Sequence, residues 1–119
     1  MFTVTASAPL FTHNGMEYYL VSFKSAEGVG STSHYEPKEA LDASGHVPAI
    51  IRGTEVLNIL KRTVKKEDGW ITLYNCRENM NNRVAYANGL ELTDDGLCFY
   101  HMDHGGTGEH PALCWRKVA

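Results

Sequence analysis

Turn sequences between short apolar runs most constrain what this chain can fold into. Asn14-Gly15 and Asn88-Gly89 are Asn-Gly dipeptides, and Asp94-Asp95-Gly96 is a further turn sequence. A type I′ turn requires positive φ at both of its central residues, which Asn and Gly tolerate best. We therefore expect each Asn-Gly site to join two antiparallel strands, the first of them in a hairpin at the N-terminus. Asp94-Asp95-Gly96 fits a three-residue hairpin loop, with Gly96 in the left-handed position of a type I turn plus bulge.

Two helices are predicted between this N-terminal hairpin and the C-terminal half of the chain. Pro37 suits the first turn of a helix and Gly45 suits its C-terminal cap, so we expect a helix over about residues 36–44. Thr54 is a suitable N-cap for a second helix over about residues 54–66. The apolar residues of this second helix recur at helical spacing and are Val56, Leu57, Ile59, Leu60 and Val64.

From Trp70 onward, short apolar runs alternate with turn sequences, which predicts a C-terminal antiparallel meander of about five strands. The predicted strands cover residues 70–76, 83–87, 90–93, 97–101 and 112–118. We expect the last two to pair with each other, in a register that places Cys98 opposite Cys114. With the N-terminal hairpin and the two helices, this pattern predicts the α+β class and a single globular domain over residues 1–119.

The composition is that of an ordinary globular protein, with 43% hydrophobic and 21% charged residues. The first residues do not combine a basic segment with an apolar stretch, and no run of 18 apolar residues occurs, so we expect neither a secretory signal nor a membrane span. The three cysteines include no CxxC pair, which favours reduced thiols and a cytoplasmic protein. A disulfide between Cys98 and Cys114 is the alternative, and it would require an oxidising compartment.

Histidines are concentrated in the Gly-rich segment before the last predicted strand. His101 ends one predicted strand and His110 precedes the next, so a closing hairpin would bring the two together. Asp103 and His104 lie between them, and imidazole and carboxylate groups suit zinc or another divalent transition metal. One hypothesis is therefore a metal-binding module or a metal-dependent hydrolase. The alternative, which we favour, is a set of exposed loop histidines with no cofactor.

Basic residues gather at the end of the second predicted helix, namely Lys61, Arg62, Lys65 and Lys66. Cations at this position complement the helix dipole and need no ligand to explain them. Weak binding of nucleic acid through phosphate contacts is the alternative. The net charge of −3 and the lack of interleaved aromatic residues favour a solvated helix face.

No motif for a cofactor, a nucleophile or a paired acid and base emerges from the sequence, so we expect a protein that is not an enzyme. Six tyrosines in a chain of 119 residues exceed what such a small core can bury with satisfied hydroxyl groups, and exposed tyrosine favours protein contacts. We therefore expect a small protein that binds another protein and does not act at a membrane. By size and composition alone it resembles phage and mobile-element inhibitors of host complexes, anti-CRISPR proteins among them, and this resemblance implies a host protein complex as partner.

Overall fold

A computed structural model describes residues 2–25, 40–51, 54–73, 75–76, 87–102 and 110–119. Its strands are β1 (Phe2–Ala6), β2 (Phe11–His13), β3 (Met16–Ser25), β4 (Val47–Pro48), β5 (Ile50–Ile51), β6 (Ile71–Leu73), β7 (Asn75–Cys76), β8 (Ala87–Thr93), β9 (Gly96–Met102) and β10 (Ala112–Lys117). Helical structure comprises α1 (Glu55–Thr63), a 3₁₀ turn (Lys66–Asp68) and a short segment at residues 40–43. The fold is small and α+β, and a mixed sheet dominates it.

The predicted N-terminal hairpin is confirmed. β2 and β3 pair antiparallel around Asn14 (φ 50°) and Gly15 (φ 77°), the two positive φ angles that a type I′ turn requires. β1 pairs with the far end of β3, on the same side as β2. Between β1 and β2, the Ser7 N–H donates to the Leu20 carbonyl at 2.7 Å, so the two short strands together follow one edge of β3.

The last strand occupies the middle of the sheet, whose order is β1-β3-β10-β6-β8-β9. β10 is antiparallel to β3 and parallel to β6, so the sheet is mixed and the predicted pairing of the last two strands is wrong. Within the C-terminal half that the structure describes, β6, β8 and β9 are adjacent in the sheet and pair antiparallel, with β7 between β6 and β8 in the chain. The physical reason is that Ala112, Leu113 and Cys114 are all buried, and a strand apolar on both faces is stabilised most at the centre of a sheet.

The second predicted Asn-Gly turn is also wrong, because Asn88 and Gly89 lie inside β8. Gly89 is paired with Thr72 of β6, and a Cβ at this glycine would overlap the indole ring of Trp70. Glycine is therefore required here for close approach of an aromatic ring and not for a turn. Most of the predicted strand 83–87 lies outside the described residues.

The β8–β9 hairpin confirms the third predicted turn. Thr93 pairs with Gly96, so the loop consists of Asp94 and Asp95 alone and is one residue shorter than predicted, because Gly96 already belongs to β9. Gly96 has a positive φ of 116°, as predicted. The Thr93 hydroxyl accepts the Asp95 N–H and donates to the Gly96 carbonyl, both at 3.1 Å. This threonine therefore satisfies backbone groups that the tight turn leaves unpaired.

The second predicted helix is confirmed as α1, although it ends three residues earlier than expected. Thr54 is the N-cap residue, without a capping hydrogen bond from its side chain, and Val64 is extended with ψ 139°. The Asp68 carboxylate accepts the Lys65 N–H at 2.8 Å and so holds the next residues in the 3₁₀ turn. A local bond from side chain to backbone has thus replaced the last helical turn.

Two hydrophobic clusters pack on opposite faces of the sheet. On one face, Val56 and Leu60 of α1 pack against Tyr18, Ile71, Leu73, Leu90 and Leu113. On the other face, Leu41 of the helical segment 40–43 packs against Tyr19, Val21, Phe23, Ala112 and Cys114. The first predicted helix is therefore confirmed at residues 40–43, whereas residues 36–39 lie outside the described part of the chain.

Neither Cys98 nor Cys114 takes part in a disulfide. They lie in β9 and β10, which are separated by β6 and β8, so the register that placed them opposite each other is wrong. None of the described helices is long and apolar enough to cross a membrane.

Candidate functional site

The predicted metal site falls largely outside the described residues, which omit Asp103 and His104. His101 belongs to β9 and His110 precedes β10, with β8 and β6 between these two strands. Three inter-strand spacings place the two backbones about 14 Å apart across the sheet, so they are not hairpin partners. Within the described ranges, no three His, Cys, Asp or Glu side chains are grouped as a metal ion would require. Metal binding by His101, Asp103, His104 and His110 therefore stays a prediction. The hairpin that was expected to bring His101 and His110 together no longer supports it.

His110 lies against an aromatic side chain at the start of β10. The centres of its imidazole and of the Trp70 indole are 5.8 Å apart, and partial burial lowers the pKa of His110 below its ordinary value. The neutral imidazole is therefore the form that the folded protein favours.

Acidification is expected to weaken the fold through this histidine. Because the pKa of His110 is lower when folded than when unfolded, the unfolded chain takes up the proton first, and the free energy of unfolding falls as the pH drops below about 6.5. Above that pH the residue contributes no pH dependence. Denaturant titrations at several pH values should show a smaller loss of stability on acidification in His110→Gln than in the original chain. If the free energy of unfolding falls equally steeply with pH in the two proteins, the expectation is contradicted.

The four basic residues of the predicted nucleic-acid surface are all exposed, at the end of α1 and in the segment that follows it. Lys66 forms an ion pair with Asp94 of the β8–β9 turn. Acidic residues also follow directly, since Glu67 and Asp68 complete the 3₁₀ turn. A carboxylate therefore pairs with one of the four basic side chains and two more follow in sequence, which weakens the attraction of this cluster for phosphates. Nucleic-acid binding through Lys61, Arg62, Lys65 and Lys66 stays an untested alternative.

Two clefts open on either side of Trp115. The first, of about 320 Å³, is lined by His13, Asn14, Met16, Tyr18, Ile50, Glu55, Val56 and Trp115. The second, of about 450 Å³, is lined by Met16, Tyr19, Ser44, Gly45, His46, Val47, Trp115, Arg116 and Lys117. Met16 and Trp115 line both clefts. We call the two clefts and these two shared side chains the Trp115 surface.

Aromatic packing against Tyr18 holds Trp115 in place. Its indole meets the Tyr18 ring edge-on, with 5.8 Å between centroids, and Phe11 stacks on Tyr18 at 4.6 Å. At the first cleft, His13 Nε2 lies 3.2 Å from a Glu55 carboxylate oxygen and links the hairpin to the start of α1. Stacked rings and bonded neighbours leave this part of the surface preorganised.

A chain of polar contacts forms one wall of the second cleft. Arg116 donates from Nε to Glu17 at 2.6 Å, and its guanidinium carbon lies 4.5 Å from the centre of the Tyr19 ring. The Tyr19 hydroxyl is hydrogen-bonded to Nδ1 of His46 at 2.8 Å. Burial raises the pKa of Tyr19, so its hydroxyl stays protonated at neutral pH.

The surface also exposes apolar area where β4 meets β10. Val47 is paired with Trp115 and is 53% exposed, and Val118, just after β10, is 47% exposed. Trp, Tyr and Arg are the side chains that most often dominate binding energy at protein interfaces, and Met is also enriched there. The sequence indicated exposed tyrosines as contact residues, but it did not single out Trp115, since only the fold brings residues 13–18, 44–50 and 115–117 together.

Comparisons of the chain with protein-family models, with curated proteins and with solved structures find no match.

Proposed function

We propose that this chain is a protein-binding domain and that the Trp115 surface is where it binds its partner. The observation that carries the proposal is the pair of clefts that share Met16 and Trp115 as a common wall. A protruding side chain of a partner can enter each cleft, so a single contact area would engage both at once. Apolar area that a partner covers adds about 25 cal/mol per Å² before the costs of association are subtracted.

The composition of the surface supports a macromolecular partner. Its centre is aromatic and apolar, whereas its edges carry charged or polar side chains such as Glu55 and Lys117. This arrangement, an apolar centre within a polar rim, is typical of protein interfaces. An inhibitor of a host protein complex acts by occupying such a contact area, and that is the biological role we propose for the binding.

Substituting Val47 tests the proposal, because its side chain is exposed and its loss does not open the core. Val47→Glu places a charge at the apolar centre and is expected to reduce capture of the partner by at least about tenfold. The measurement compares proteins retained from the native host by the tagged chain and by the variant, quantified by mass spectrometry.

Thr3→Glu is the matched control, since Thr3 is also an exposed strand residue but lies in β1 at the sheet edge. A partner bound at the Trp115 surface is retained by the control and lost by Val47→Glu. A partner retained equally by both variants, while both remain folded by circular dichroism, would refute the proposed location.

A further inference from the structure

We propose that the second cleft binds an extended, acidic segment of the partner protein, with an apolar side chain of that segment against Trp115 and Val47. This inference rests on the proposed function and specifies the chemistry of the partner. Three features of the cleft carry it, namely its backbone, its charge and its apolar wall.

The backbone of β10 presents hydrogen-bonding groups toward the cleft. The Val118 N–H donates to the Gly15 carbonyl on the β3 side, whereas the Leu113 carbonyl accepts the Ala49 N–H on the other side. Successive residues of a strand direct these groups to alternate sides. The N–H and C=O of Lys117 therefore point in the same direction as those of Leu113, away from β3.

On that side, the chain that pairs with β10 turns away before it reaches Lys117. Val47 is the first residue of β4. The N–H groups of Gly45 and His46 donate to the carbonyls of Asp42 and Leu41 in the helical segment 40–43, at 3.1 and 3.2 Å. The backbone of Lys117 consequently faces the second cleft. An extended peptide can continue the ladder here, which is how strand addition binds partners.

The charge of the cleft selects an acidic segment. Arg116 and Lys117 line it, and no carboxylate belongs to the described residues that line it. Glu17 forms an ion pair with the guanidinium of Arg116 and offsets its charge, so the positive charge of the cleft comes mainly from Lys117. The whole chain has a net charge of −3, so the sign of this cleft is opposite to that of the molecule. Complementary charge steers a partner of negative sign and sets its register.

The apolar wall requires at least one hydrophobic side chain within the acidic segment. Met16, Val47 and Trp115 lie together on this side of the cleft, and Val47 is 53% exposed. A side chain of leucine size would cover these groups while its flanking carboxylates meet Arg116 and Lys117. The resulting motif is an apolar residue between acidic residues, in extended conformation.

The test selects peptides on the complete chain from a phage library of random sequences of about 12 residues. We expect enrichment of sequences in which Asp or Glu flanks an apolar residue. The enriched peptide should bind Lys117→Glu about tenfold more weakly and should bind Lys61→Glu, the matched charge reversal on α1, as tightly as the original chain.

The other outcomes overturn the inference in distinguishable ways. Enrichment of basic or uncharged peptides that still lose affinity in Val47→Glu would reject the acidic partner and leave the proposed function intact. No enrichment, or affinity that Lys117→Glu does not change, would reject the cleft as the peptide site. A thymidine oligonucleotide that displaces the peptide and binds more tightly would assign the cleft to nucleic acid. The proposed function is tested separately. It fails if the original chain and Val47→Glu capture the same host proteins equally well.

Discussion

Gly89→Ala is expected to destabilise the protein by about 2 to 3 kcal/mol. The added Cβ would overlap the Trp70 indole, which is itself packed beside His110, so either the ring or strand β8 must shift. Denaturant unfolding monitored by circular dichroism measures the loss. The effect is opposite in sign to that of a typical glycine in a strand, where alanine stabilises by limiting the unfolded chain.

A double-mutant cycle identifies the cause of this loss. In a Trp70→Leu background the ring is absent, and Gly89→Ala should then cost less than about 1 kcal/mol. Equal costs in the two backgrounds would show that Gly89 is needed for some reason other than its contact with Trp70.

Leu113→Ala is the second substitution with a large expected effect, a loss of about 3 kcal/mol. Leu113 is 1% exposed and packs in the cluster beneath α1, so truncation leaves a cavity at the centre of the sheet. Leu97→Ala, on the edge strand β9, should cost clearly less because Leu97 is only partly buried. If the two strands paired as a terminal hairpin, the two leucines would have similar surroundings, and comparable losses would contradict the central position of β10.

The same dipeptide gave a correct and an incorrect turn prediction, which shows where local sequence ceases to be informative. Asn14-Gly15 forms its turn because the strands on both sides pair with each other. Asn88-Gly89 has equal intrinsic preference for a turn, but Trp70, just before the neighbouring strand β6, needs the space that a glycine leaves. Packing between distant residues therefore overrides a local preference, and no pattern near residue 88 reports it.

The topology and the candidate site share this limit. The apolar run 112–114 predicted a strand, but the neighbours of that strand, β3 and β6, lie far away in sequence. The Trp115 surface likewise combines the first hairpin, the β4 region and the last strand. The histidine-rich segment drew attention because its residues are adjacent in sequence, whereas the clefts are formed by residues that only the fold brings together.

Photo-crosslinking from position 47 tests the binding role of the Trp115 surface most directly. A photoreactive phenylalanine analogue replaces Val47 in one protein and Thr3 in another, and each is irradiated in the native host. A partner that binds at the Trp115 surface forms a covalent adduct from position 47 and none from position 3. Adducts from position 3 alone, or the same adducts from both positions, would contradict the assignment of this surface as the site of binding.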